Sequence, residues 1–489
     1  MKISNLPAAA LLALGVQGAA LAQDAVRIVD VTVIDPASRA VMEDRTVTIE
    51  NGVIAAIAPA GAAGAGFDGR EIDGRGRYLV PGLMDMHVHT NIAPVTETSF
   101  ALLFAHGVTG VRDMSGDCWE PVAGPFLCRE AMLAYGARID AGEVPGPDLL
   151  ALSSGFVQSD RSGQMPPDHD PLYTPQTAEQ GRALVDYLQA RDVDLIKLYH
   201  AIYPAALEGV MQRAGELDLE VSGHIPLVVS AGEASRLGMR TIEHAKDIVT
   251  DCSGFGEEYR ARIRAAISGD ASAQWPGDAE RLARTIATFD PQRCRALMAE
   301  LAANGTIFVP THGTREMDVR AGDADWRDHP GRAFLPAMQL QQWDADLDRT
   351  AAEPEEVRSH YEDFYRLGLE VTAIAHAAGV PVMLGTDAND TMIVPGIAAH
   401  EELIRLVEAG LSPMDALAAA TSVPARYLGR EGELGTIRTG AEADLLLLDA
   451  DPLADIANTQ RIEAVIADGR LYDRAELDAI LAEVRARTQ

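Results

Sequence analysis

Aromatic residues, cysteines and positive charge are scarce in this sequence, and each shortage excludes a class of protein. Aromatic residues make up 5% of the chain against 47% hydrophobic residues overall, which fits an ordinary soluble core rather than a disordered chain or a membrane bundle. The 41 lysine and arginine residues are outnumbered by 73 acidic ones, and the net charge is −32. Such a surface repels phosphate backbones, so we expect no nucleic-acid partner.

The sequence also lacks apolar runs long enough to cross a membrane. An early run over residues 6–16 is shorter than the ~20 residues that a bilayer core requires. It follows the basic residue Lys2 and precedes the small residues Ala-Leu-Ala at 20–22, which is the order of a secretory signal peptide. We therefore predict a signal peptide at residues 1–22 and a mature protein that is periplasmic or extracellular, without a membrane span.

The few cysteines form an even set, which allows two disulfides in an exported protein. They are Cys118, Cys128, Cys252 and Cys294. Four cysteines can pair in three ways, and the sequence alone does not choose among them. We favour Cys118–Cys128 and Cys252–Cys294, because each of these pairs brackets a single loop or insertion.

Strand-like alternation of apolar and polar residues marks the two ends of the chain. The pattern occurs at 26–34, 46–50, 443–448 and 462–466. The first two segments precede the turn Asn51-Gly52, which is typical of a hairpin. Because distant strand-rich segments flank a long α/β region, we predict a small β-sandwich domain built from residues 23–80 and 431–489.

Between these ends, short apolar runs alternate with segments of helical periodicity. Helices are predicted at 177–191, 203–217, 400–409 and 413–421, among others. Eight predicted strands end near Met86, Met114, Phe156, Tyr199, His224, His244, Thr311 and Asp387. Eight parallel strands, each followed by helix, form a (β/α)8 TIM-like barrel with catalytic groups at the carboxyl ends of the strands. We assign residues 81–430 to this barrel and expect extra helices in the long intervals after the sixth and seventh strands.

Two histidines two positions apart are the strongest local signal for chemistry. His87 and His89 end a buried apolar strand, and side chains at i and i+2 of a strand face the same side. Their imidazoles therefore form a pair of ligands suited to zinc. A His-x-His pair on its own is more often a surface feature, and here it is the buried strand that favours a metal site.

Other predicted strands end in charged or histidine residues. His224, His244 and Asp387 each end one of them. A single histidine at such a position is commonly a hydrogen-bonded core residue, but four histidines and a carboxylate on one barrel rim indicate a metal site. Lys197 ends another strand and would face the interior, where a bare ammonium is costly. On its own, that placement suggests a lysine paired with a neighbouring acid.

Several motifs resemble those of the amidohydrolase superfamily, over nearly the whole mature chain. The matching segments are 81–89, 107–113, 385–387, 434–437, 440–445 and 451–453. The first three look like the first, second and eighth strands of that family, and the last three resemble its return into the β domain. The chain is most similar to the imidazolonepropionase-like branch, which includes exported dipeptidases.

The resemblance implies a centre of two divalent metal ions, with zinc as the expected metal. In binuclear members the fourth-strand lysine carries a carbamate formed from carbon dioxide, and this role falls on Lys197. Carbamylation turns a cation, which cannot bind a metal ion, into an anion whose two oxygens bridge ions ~3.5–4 Å apart. The predicted bridging ligand is therefore a modified lysine.

The resemblance also distributes the remaining ligands and implies a mechanism. By position, His87, His89 and Asp387 hold the more buried ion. His224 and His244 hold the more exposed one. The ions share a water and lower its pKa, which generates a bridging hydroxide. Asp387 is the predicted catalytic residue, because it takes the proton of the attacking water and delivers it to the leaving nitrogen.

The substrate side is less determined by the sequence. The candidate substrate-binding residues are Tyr199, His200, Tyr203, His312 and Arg315. The first three follow Lys197, and the other two follow the seventh predicted strand, where they could bind a carbonyl oxygen or a carboxylate. For each of the five, a purely structural role is an equal alternative.

Three functions are compatible with these residues. The first is hydrolysis of a C–N amide bond in a small molecule or short peptide: a dipeptide, an N-acyl amino acid or a cyclic amide. The second is a mononuclear deaminase or imidazolonepropionase-type hydrolase, against which Lys197 and His244 argue. The third is a catalytically inactive binding scaffold on the same fold. The sequence names neither the substrate nor the native metal, and it leaves open whether the chain forms a homo-oligomer.

Overall fold

The computed structural model describes residues 25–62, 67–119, 125–159, 170–270 and 272–488. These residues form a mixed α/β fold, in which a sheet built from the two ends of the chain accompanies a central region of parallel strands and helices. The predicted signal peptide at residues 1–22 lies outside the described residues. Its cleavage stays a prediction.

The strands alternate with helices in the centre of the chain and follow one another directly at its ends. In chain order the strands are β1 (Val26–Asp35), β2 (Ala40–Glu50), β3 (Val53–Pro59), β4 (Arg70–Asp73), β5 (Tyr78–Pro81), β6 (Leu83–Val88), β7 (Val108–Asp113), β8 (Asp148–Leu152), β9 (Leu195–Leu198), β10 (Glu220–Gly223), β11 (Thr241–Glu243), β12 (Ile307–Val309), β13 (Leu445–Leu448), β14 (Ile462–Ala467) and β15 (Arg470–Asp473).

Strands from both termini pair in one sheet, in the order β15-β14-β13-β5-β1-β2-β3 with β4 beside β1. The two ends join where β13 runs antiparallel to β5, with Leu446 opposite Val80. The β2–β3 hairpin turns at Asn51 and Gly52, whose φ angles of 54° and 78° are tolerated by asparagine and glycine. A β unit built from both termini is thus confirmed. Since one hydrogen-bonded sheet holds all these strands, the two layers of a sandwich stay a prediction.

The central parallel strands form two sheets, β6-β7-β8 and β9-β10-β11-β12. The predicted eighth strand is an extended segment, 382–388, rather than a regular strand. Isolated parallel bridges link these parts: Ser153–Leu195, Val157–Leu198, Phe308–Val382 and Val88–Ala388. The eight expected segments therefore occur in the expected order, but they do not form one continuous closed sheet. The strands are short apolar runs, and β9, which contains Lys197, is buried throughout.

Helices follow almost every central strand. In chain order they are α1 (Thr96–Ala105), α2 (Arg129–Asp140), α3 (Ala178–Ala190), α4 (Pro204–Leu217), α5 (Ala231–Arg236), α6 (Ala245–Val249), α7 (Gly256–Ile267), α8 (Asp278–Thr288), α9 (Pro291–Asn304), α10 (Gly313–Arg320), α11 (Ala324–Arg327), α12 (Ala337–Ala351), α13 (Glu355–Arg358), α14 (Tyr361–Ala377), α15 (Ile397–Glu408), α16 (Pro413–Ala419), α17 (Ser422–Tyr427) and α18 (Arg474–Thr488). Single turns of 3₁₀ helix occur at Pro171–Tyr173, Pro330–Phe334 and Ile456–Gln460.

The predicted helices are present, and the local sequence explains where several of them begin. Thr177 and Gln180 form a capping box at the start of α3, and Pro204 opens α4 at a position where no backbone donor is required. The predicted helices at 400–409 and 413–421 correspond to α15 and α16. The long intervals after β11 and β12 hold α6 to α9 and α10 to α14, which confirms the expected extra helices.

Both favoured disulfides are present. The Cα atoms are 4.4 Å apart in Cys118–Cys128 and also in Cys252–Cys294, within the span that a disulfide bridges. The first links the segment after β7 to the start of α2, and the second links the segment after α6 to α9. No helix among the described residues combines the length and the apolar character needed to cross a membrane.

Candidate metal centre

All six predicted ligands lie at the carboxyl ends of the central strands. His87 and Lys197 are fully buried within β6 and β9, and His224, His244 and Asp387, which directly follow strand segments, are at most 8% exposed. The remaining ligand, His89, directly follows β6, and its side chain is 19% exposed. Parallel strands place their carboxyl ends on one rim, so residues far apart in sequence converge there.

Asp387 stands at the centre of this group. One of its oxygens, Oδ1, is 2.8 Å from Nε2 of His89 and 3.3 Å from Nε2 of His87. The other, Oδ2, is 3.7 Å from Nδ1 of His244. His87, His244 and Asp387 each offer a ligand atom within 4.8 Å of the other two. His244, which was predicted to bind the more exposed ion, thus lies beside the ligands of the more buried one.

His224 is next to this cluster and extends it toward the rim. Its ring centroid is 4.2 Å from that of His244 and 3.9 Å from that of His200. Burial and the charge of a neighbouring histidine lower the pKa of His224 and of His244 well below the usual range. Both imidazoles are therefore neutral near pH 7, the state in which a histidine binds a metal ion.

Lys197 points into the same group. Its Nζ lies 3.0 Å from Nε2 of His87. Burial lowers the pKa of Lys197 to about 8, because a charged ammonium is poorly solvated there. Burial and the charge of Lys197 likewise lower the pKa of His87 to about 4. Near pH 7 the imidazole of His87 is neutral and accepts a hydrogen bond from Lys197.

A buried carboxylate fixes the orientation of His87. Nδ1 of His87 lies 2.7 Å from Glu243, which also accepts a hydrogen bond from Arg112 at 2.8 Å and one from Thr241. Burial would raise the pKa of Glu243, but Arg112 and His87 outweigh it and lower that pKa to about 2. Since an ionised carboxylate only accepts, His87 donates from Nδ1 and keeps a lone pair on Nε2.

The hydroxyl group of Ser115 fixes the orientation of the His89 ring in the same way. Nδ1 of His89 lies 2.9 Å from Oγ of Ser115, and that hydroxyl donates to Oδ1 of Asn91 at 2.8 Å. The amide nitrogen of Asn91 in turn donates to the carbonyl of Ser115. The serine hydroxyl therefore accepts from Nδ1 of His89, and Nε2 of His89 carries the lone pair that faces Asp387.

The other two histidines repeat this arrangement. Nδ1 of His224 lies 3.2 Å from Oδ2 of Asp247, and Nδ1 of His244 lies 2.7 Å from Oγ1 of Thr311. His200 contacts the same oxygen of Asp247 from the rim, at 3.2 Å. In all four histidines Nδ1 is thus held by an oxygen, which is how proteins orient histidines that bind metal through Nε2.

The nitrogen and oxygen atoms of this cluster are arranged as ligands of a cation. Nε2 of His244 is buried, and no hydrogen-bond partner for it exists among the described residues. Nε2 of His89 and Oδ1 of Asp387 are 2.8 Å apart, close enough for both atoms to bind one cation. Imidazole nitrogens and a carboxylate are the usual ligands of zinc and related divalent ions. The residues present therefore suit the predicted metal site.

One protein family and several known proteins are similar to this chain in sequence. The Amidohydrolase family matches residues 355–472. An uncharacterized protein of Mycobacterium tuberculosis is 31% identical over 42% of this chain and 54% of its own length, so the chain spans about half of that relative. Imidazolonepropionases of Caulobacter vibrioides and Geobacillus thermodenitrificans are 25% and 24% identical, over 85% and 88% of this chain and 90% of each relative. The chain is therefore similar to amidohydrolases, in a family match over residues 355–472 and in distant relatives over most of its length.

Solved structures show the shared fold. A Xaa-Pro dipeptidase with bound methionine superposes with a TM-score of 0.63 and 21% identity, over 92% of this chain and 100% of the other. A bottromycin amidohydrolase superposes with a TM-score of 0.66 and 22% identity, over 94% and 90% of the two chains. The mixed α/β fold of this chain is therefore shared with these proteins.

The residues predicted to bind substrate divide into two groups. Tyr199 lies beside the metal ligands: its ring stacks on Phe156 with centroids 4.9 Å apart and meets His224 edge-on at 4.4 Å. Burial raises the pKa of Tyr199 to about 12, so its hydroxyl stays protonated. His200 also lies at the rim, through Asp247. Tyr203 is the residue before α4 and is half-buried against the core.

The two candidates after the seventh strand differ from each other. His312 does not join the cluster, because Nε2 of its buried imidazole lies 3.0 Å from Oγ1 of Thr372 on α14. Arg315 donates from Nη1 to Asp318 at 2.6 Å, and its Nε is buried without a hydrogen-bond partner among the described residues. Within the described parts of the chain, Arg315 thus keeps a buried donor that no acceptor engages.

Sequence reasoning missed the residues that hold the ligands. Glu243, Ser115, Asp247 and Thr311 fix Nδ1 of the four histidines. Glu243 ends β11 directly before the predicted ligand His244, and no spacing in the sequence marks it as a partner of His87. Asp247 lies on α6, and nothing in its local spacing marks it.

Proposed function

We propose that this protein is a metal-dependent hydrolase that cleaves a C–N amide bond. The observation that carries the proposal is the common orientation of four histidines, each held at Nδ1, around Asp387 and Lys197. The similarity to the Amidohydrolase family supports hydrolysis. Two structural neighbours, a Xaa-Pro dipeptidase and a bottromycin amidohydrolase, support an amide bond.

The proposed metal ligands are the six predicted residues. His87, His89 and Asp387 would hold one divalent ion, with His244 beside them, and His224 would help to hold a second. When bound, such ions lower the pKa of water and polarise a carbonyl group. The chain orients the imidazoles through Nδ1, and its apolar strands shield the cluster from bulk water.

Lys197 would bridge the ions as a carbamate. Its neutral amine attacks the carbon of carbon dioxide, a new N–C bond forms, and one proton leaves. The buried Nζ, 3.0 Å from Nε2 of His87, stands where a bridging anion would reach ligands of the first ion. Zinc is the proposed metal, because the donors are imidazoles and carboxylates.

Asp387 would carry the proton in catalysis. Burial would raise the pKa of Asp387, but the neighbouring histidines outweigh it and lower that pKa well below the usual range. The carboxylate is therefore ionised and can accept a proton from the attacking water. It then delivers this proton to the leaving nitrogen, which must be protonated before the C–N bond breaks.

The proposed architecture is a (β/α)8 barrel over residues 81–430, with a β-sandwich from residues 23–80 and 431–489. The parallel bridges that link β8 to β9, β12 to segment 382–388, and that segment to β6 support closure of the ring. The position of every ligand at a strand carboxyl end supports it as well.

The proposed location is the periplasm or the outside of the cell, after removal of residues 1–22. Two disulfides in one chain support this, because disulfides persist in oxidising compartments. Sequencing of the amino terminus of the exported protein tests the proposal. A mature chain that begins near residue 23 is expected, and retention of the full chain in the cytoplasm would refute it.

A mononuclear hydrolase of cyclic amides is the second candidate. Imidazolonepropionases that match 85–88% of the chain favour it. Lys197 at 3.0 Å from His87 favours the binuclear amide hydrolase instead, since a single ion requires no bridging lysine.

A substrate panel tests the proposed function. Purified protein is stripped with a chelator, reloaded with zinc and assayed on dipeptides, N-acyl amino acids and cyclic amides. Zinc-dependent hydrolysis of a linear amide is expected. Activity confined to cyclic amides would favour the second candidate, and the absence of hydrolysis in the presence of bound zinc would refute the proposal.

A further inference from the structure

Three carboxylates from distant parts of the chain meet at the amino ends of the central strands. Asp148 is the first residue of β8, and Glu442 and Asp444 lie just before β13 of the terminal sheet. An oxygen of each lies within 4.8 Å of an oxygen of each of the other two. The candidate metal centre lies at the carboxyl ends of the central strands, so this acidic cluster is a separate place in the molecule.

Few partners balance the acidic cluster. Among the described residues, Arg430 is its one ion-pair partner and donates to Oε1 of Glu442. Oδ1 of Asp444 accepts the backbone N–H of Asp468 at 3.1 Å. The carboxylate of Asp148 forms neither a hydrogen bond nor an ion pair within the described ranges. Each of the three carboxylates therefore keeps at least one oxygen that no donor engages.

A small cavity lies between these side chains. Its volume is about 10 Å³, and its wall includes the three carboxylates together with Gly82 and Thr109. That is about the room that one water molecule requires. The cavity therefore suits a single small occupant that contacts several oxygens at once.

Thr109, on β7, is a second feature that points to a ligand. It is 5% exposed, and its hydroxyl has no hydrogen-bond partner in the described part of the chain. Its Oγ1 is the atom nearest to the position that a Cβ at Gly82 would occupy, and Gly82 also lines the cavity. Because a buried hydroxyl is normally hydrogen-bonded, this one requires a partner inside the cavity.

We propose that the acidic cluster and Thr109 bind one calcium ion. Calcium takes oxygen ligands at about 2.3–2.6 Å, so two of its ligands lie at most about 5 Å apart. The separations within the acidic cluster therefore allow one ion to contact all three carboxylates. Oxygen ligands suit calcium better than zinc, and magnesium usually keeps several waters, for which this cavity has no room.

The ion would join the terminal sheet to the central strands. Glu442 and Asp444 belong to the carboxyl-terminal part of the chain, whereas Thr109 and Asp148 belong to β7 and β8. The backbone N–H of Gly82 already donates to the carbonyl of Asp444 at this junction, at 2.8 Å. A ligand that binds only the folded chain stabilises it. Calcium would thus act on stability, and the inference is independent of the proposed function.

The competing explanation is that protons and a water molecule occupy the acidic cluster. Protons would relieve the repulsion between the carboxylates, and a water in the cavity would bond to the hydroxyl of Thr109. Added calcium would then leave the stability of the protein unchanged. Calcium binding and its effect on unfolding therefore distinguish the two explanations.

The test uses the zinc-loaded full chain, freed of calcium with a calcium-selective chelator. Calorimetric titration with calcium chloride gives the affinity and the number of ions, and the unfolding temperature is measured with calcium, with magnesium and with neither. Asp148→Asn removes one charge from the acidic cluster, and Thr109→Val removes the hydroxyl and keeps the shape of the side chain. Asp478→Asn, at an exposed carboxylate of α18 that pairs with Arg474, is the matched control.

Wild type and Asp478→Asn should bind one calcium ion and unfold at a higher temperature in its presence. Asp148→Asn should weaken calcium binding roughly 10-fold or more, because the number of charged ligands sets the affinity. Thr109→Val should weaken it by a smaller factor. Each variant is compared with itself, with and without calcium, so a change in its basal stability does not enter the comparison.

Three results would overturn the inference. The first is the absence of calcium binding in wild type, and the second is an affinity in Asp148→Asn equal to that of Asp478→Asn. The third is an equal rise in unfolding temperature with magnesium, which would contradict the assignment to calcium. Zinc content is measured throughout, so that calcium at the acidic cluster is separated from exchange of zinc at the candidate metal centre.

Discussion

Asp387 is the residue on which most of the site's contacts converge, and it lies within 3.7 Å of three imidazoles. A carboxylate so placed could be a ligand, a proton carrier or both. Asparagine keeps one oxygen for a metal ion but cannot carry a proton. The Asp387→Asn variant therefore separates the two roles.

We predict that Asp387→Asn retains much of its zinc and loses about 10²- to 10⁴-fold in kcat, the usual contribution of general acid–base catalysis. The measurement is the hydrolysis rate together with elemental analysis. Asp478→Asn, at an exposed carboxylate of α18 that pairs with Arg474, is the matched control. Near wild-type turnover in Asp387→Asn would contradict the assignment.

Asp247 contacts Nδ1 of His224 at 3.2 Å, and in the proposed metal centre it would position that imidazole. We expect Asp247→Asn to weaken zinc binding roughly 10- to 100-fold, the usual cost of removing the group that orients a ligand histidine. Competition with a chelator measures the affinity, and Glu208→Gln, at an exposed site on α4, is the control. A zinc affinity equal to that of the control would show that Asp247 does not position His224.

The convergence of the candidate metal ligands could be predicted from the sequence, because their residue types and their positions at strand ends point to the same place. Histidine and aspartate at the end of an apolar strand are conspicuous, and the barrel topology brings strand ends together. Asp247 could not be found in this way, since it lies on α6, where polar residues are ordinary. The position of the His312 side chain could not be predicted from the sequence either. It points to Thr372, and this contact depends on how α14 packs.

At the scale of elements, three carboxylates meet where the terminal sheet approaches β8. Asp148, Glu442 and Asp444 each place an oxygen within 4.8 Å of the other two. Burial and nearby acidic groups raise the pKa of Asp148 to about 7. Burial and the charge of Asp148 also raise the pKa of Asp444. The folded protein therefore holds protons here that the unfolded chain has released.

This cluster predicts a pH dependence of stability. When the pKa is higher in the folded state, the folded protein binds more protons between the ordinary value near 3.8 and about 7. Its free energy of unfolding must then fall as the pH rises through that window. We expect Asp148→Asn to flatten this slope and to be more stable than wild type at pH 8.

Urea unfolding of the two proteins at a series of pH values measures the effect. Glu208→Gln removes an exposed carboxylate of α4 and should leave the slope as it is in wild type. An identical slope in wild type and Asp148→Asn would contradict the account of the cluster.

The elements themselves were largely predictable, and the exceptions have physical causes. Strong helical periodicity and start signals located α3 and α4. The eighth strand was predicted from its apolar run, yet segment 382–388 is extended with only isolated bridges at Val382 and Ala388. Near its end Asp387 adopts a φ angle of 69°, outside the range of a regular strand.

At the scale of the whole molecule, the disulfides join parts of the chain that folding must otherwise bring together. The sequence separations are 10 for Cys118–Cys128 and 42 for Cys252–Cys294. Loop-closure entropy predicts a loss of about 3 kcal/mol when the shorter is removed and about 4 kcal/mol for the longer. Unfolding of two variants, each with one of the cysteine pairs replaced by alanine, measures both losses. A larger loss of stability for the shorter loop would contradict this estimate.

Both termini build one sheet, and the strands between them present the six proposed ligands on one rim, where we propose that they hold two ions. Zinc titration of the chelator-stripped protein, with hydrolysis of a dipeptide followed at each addition, measures how many ions activity requires. Zinc is expected to bind, and activity is expected to rise with it and to saturate at two equivalents per chain. Saturation at one equivalent would contradict the binuclear centre, and full activity without metal would rule out a metal-dependent hydrolase.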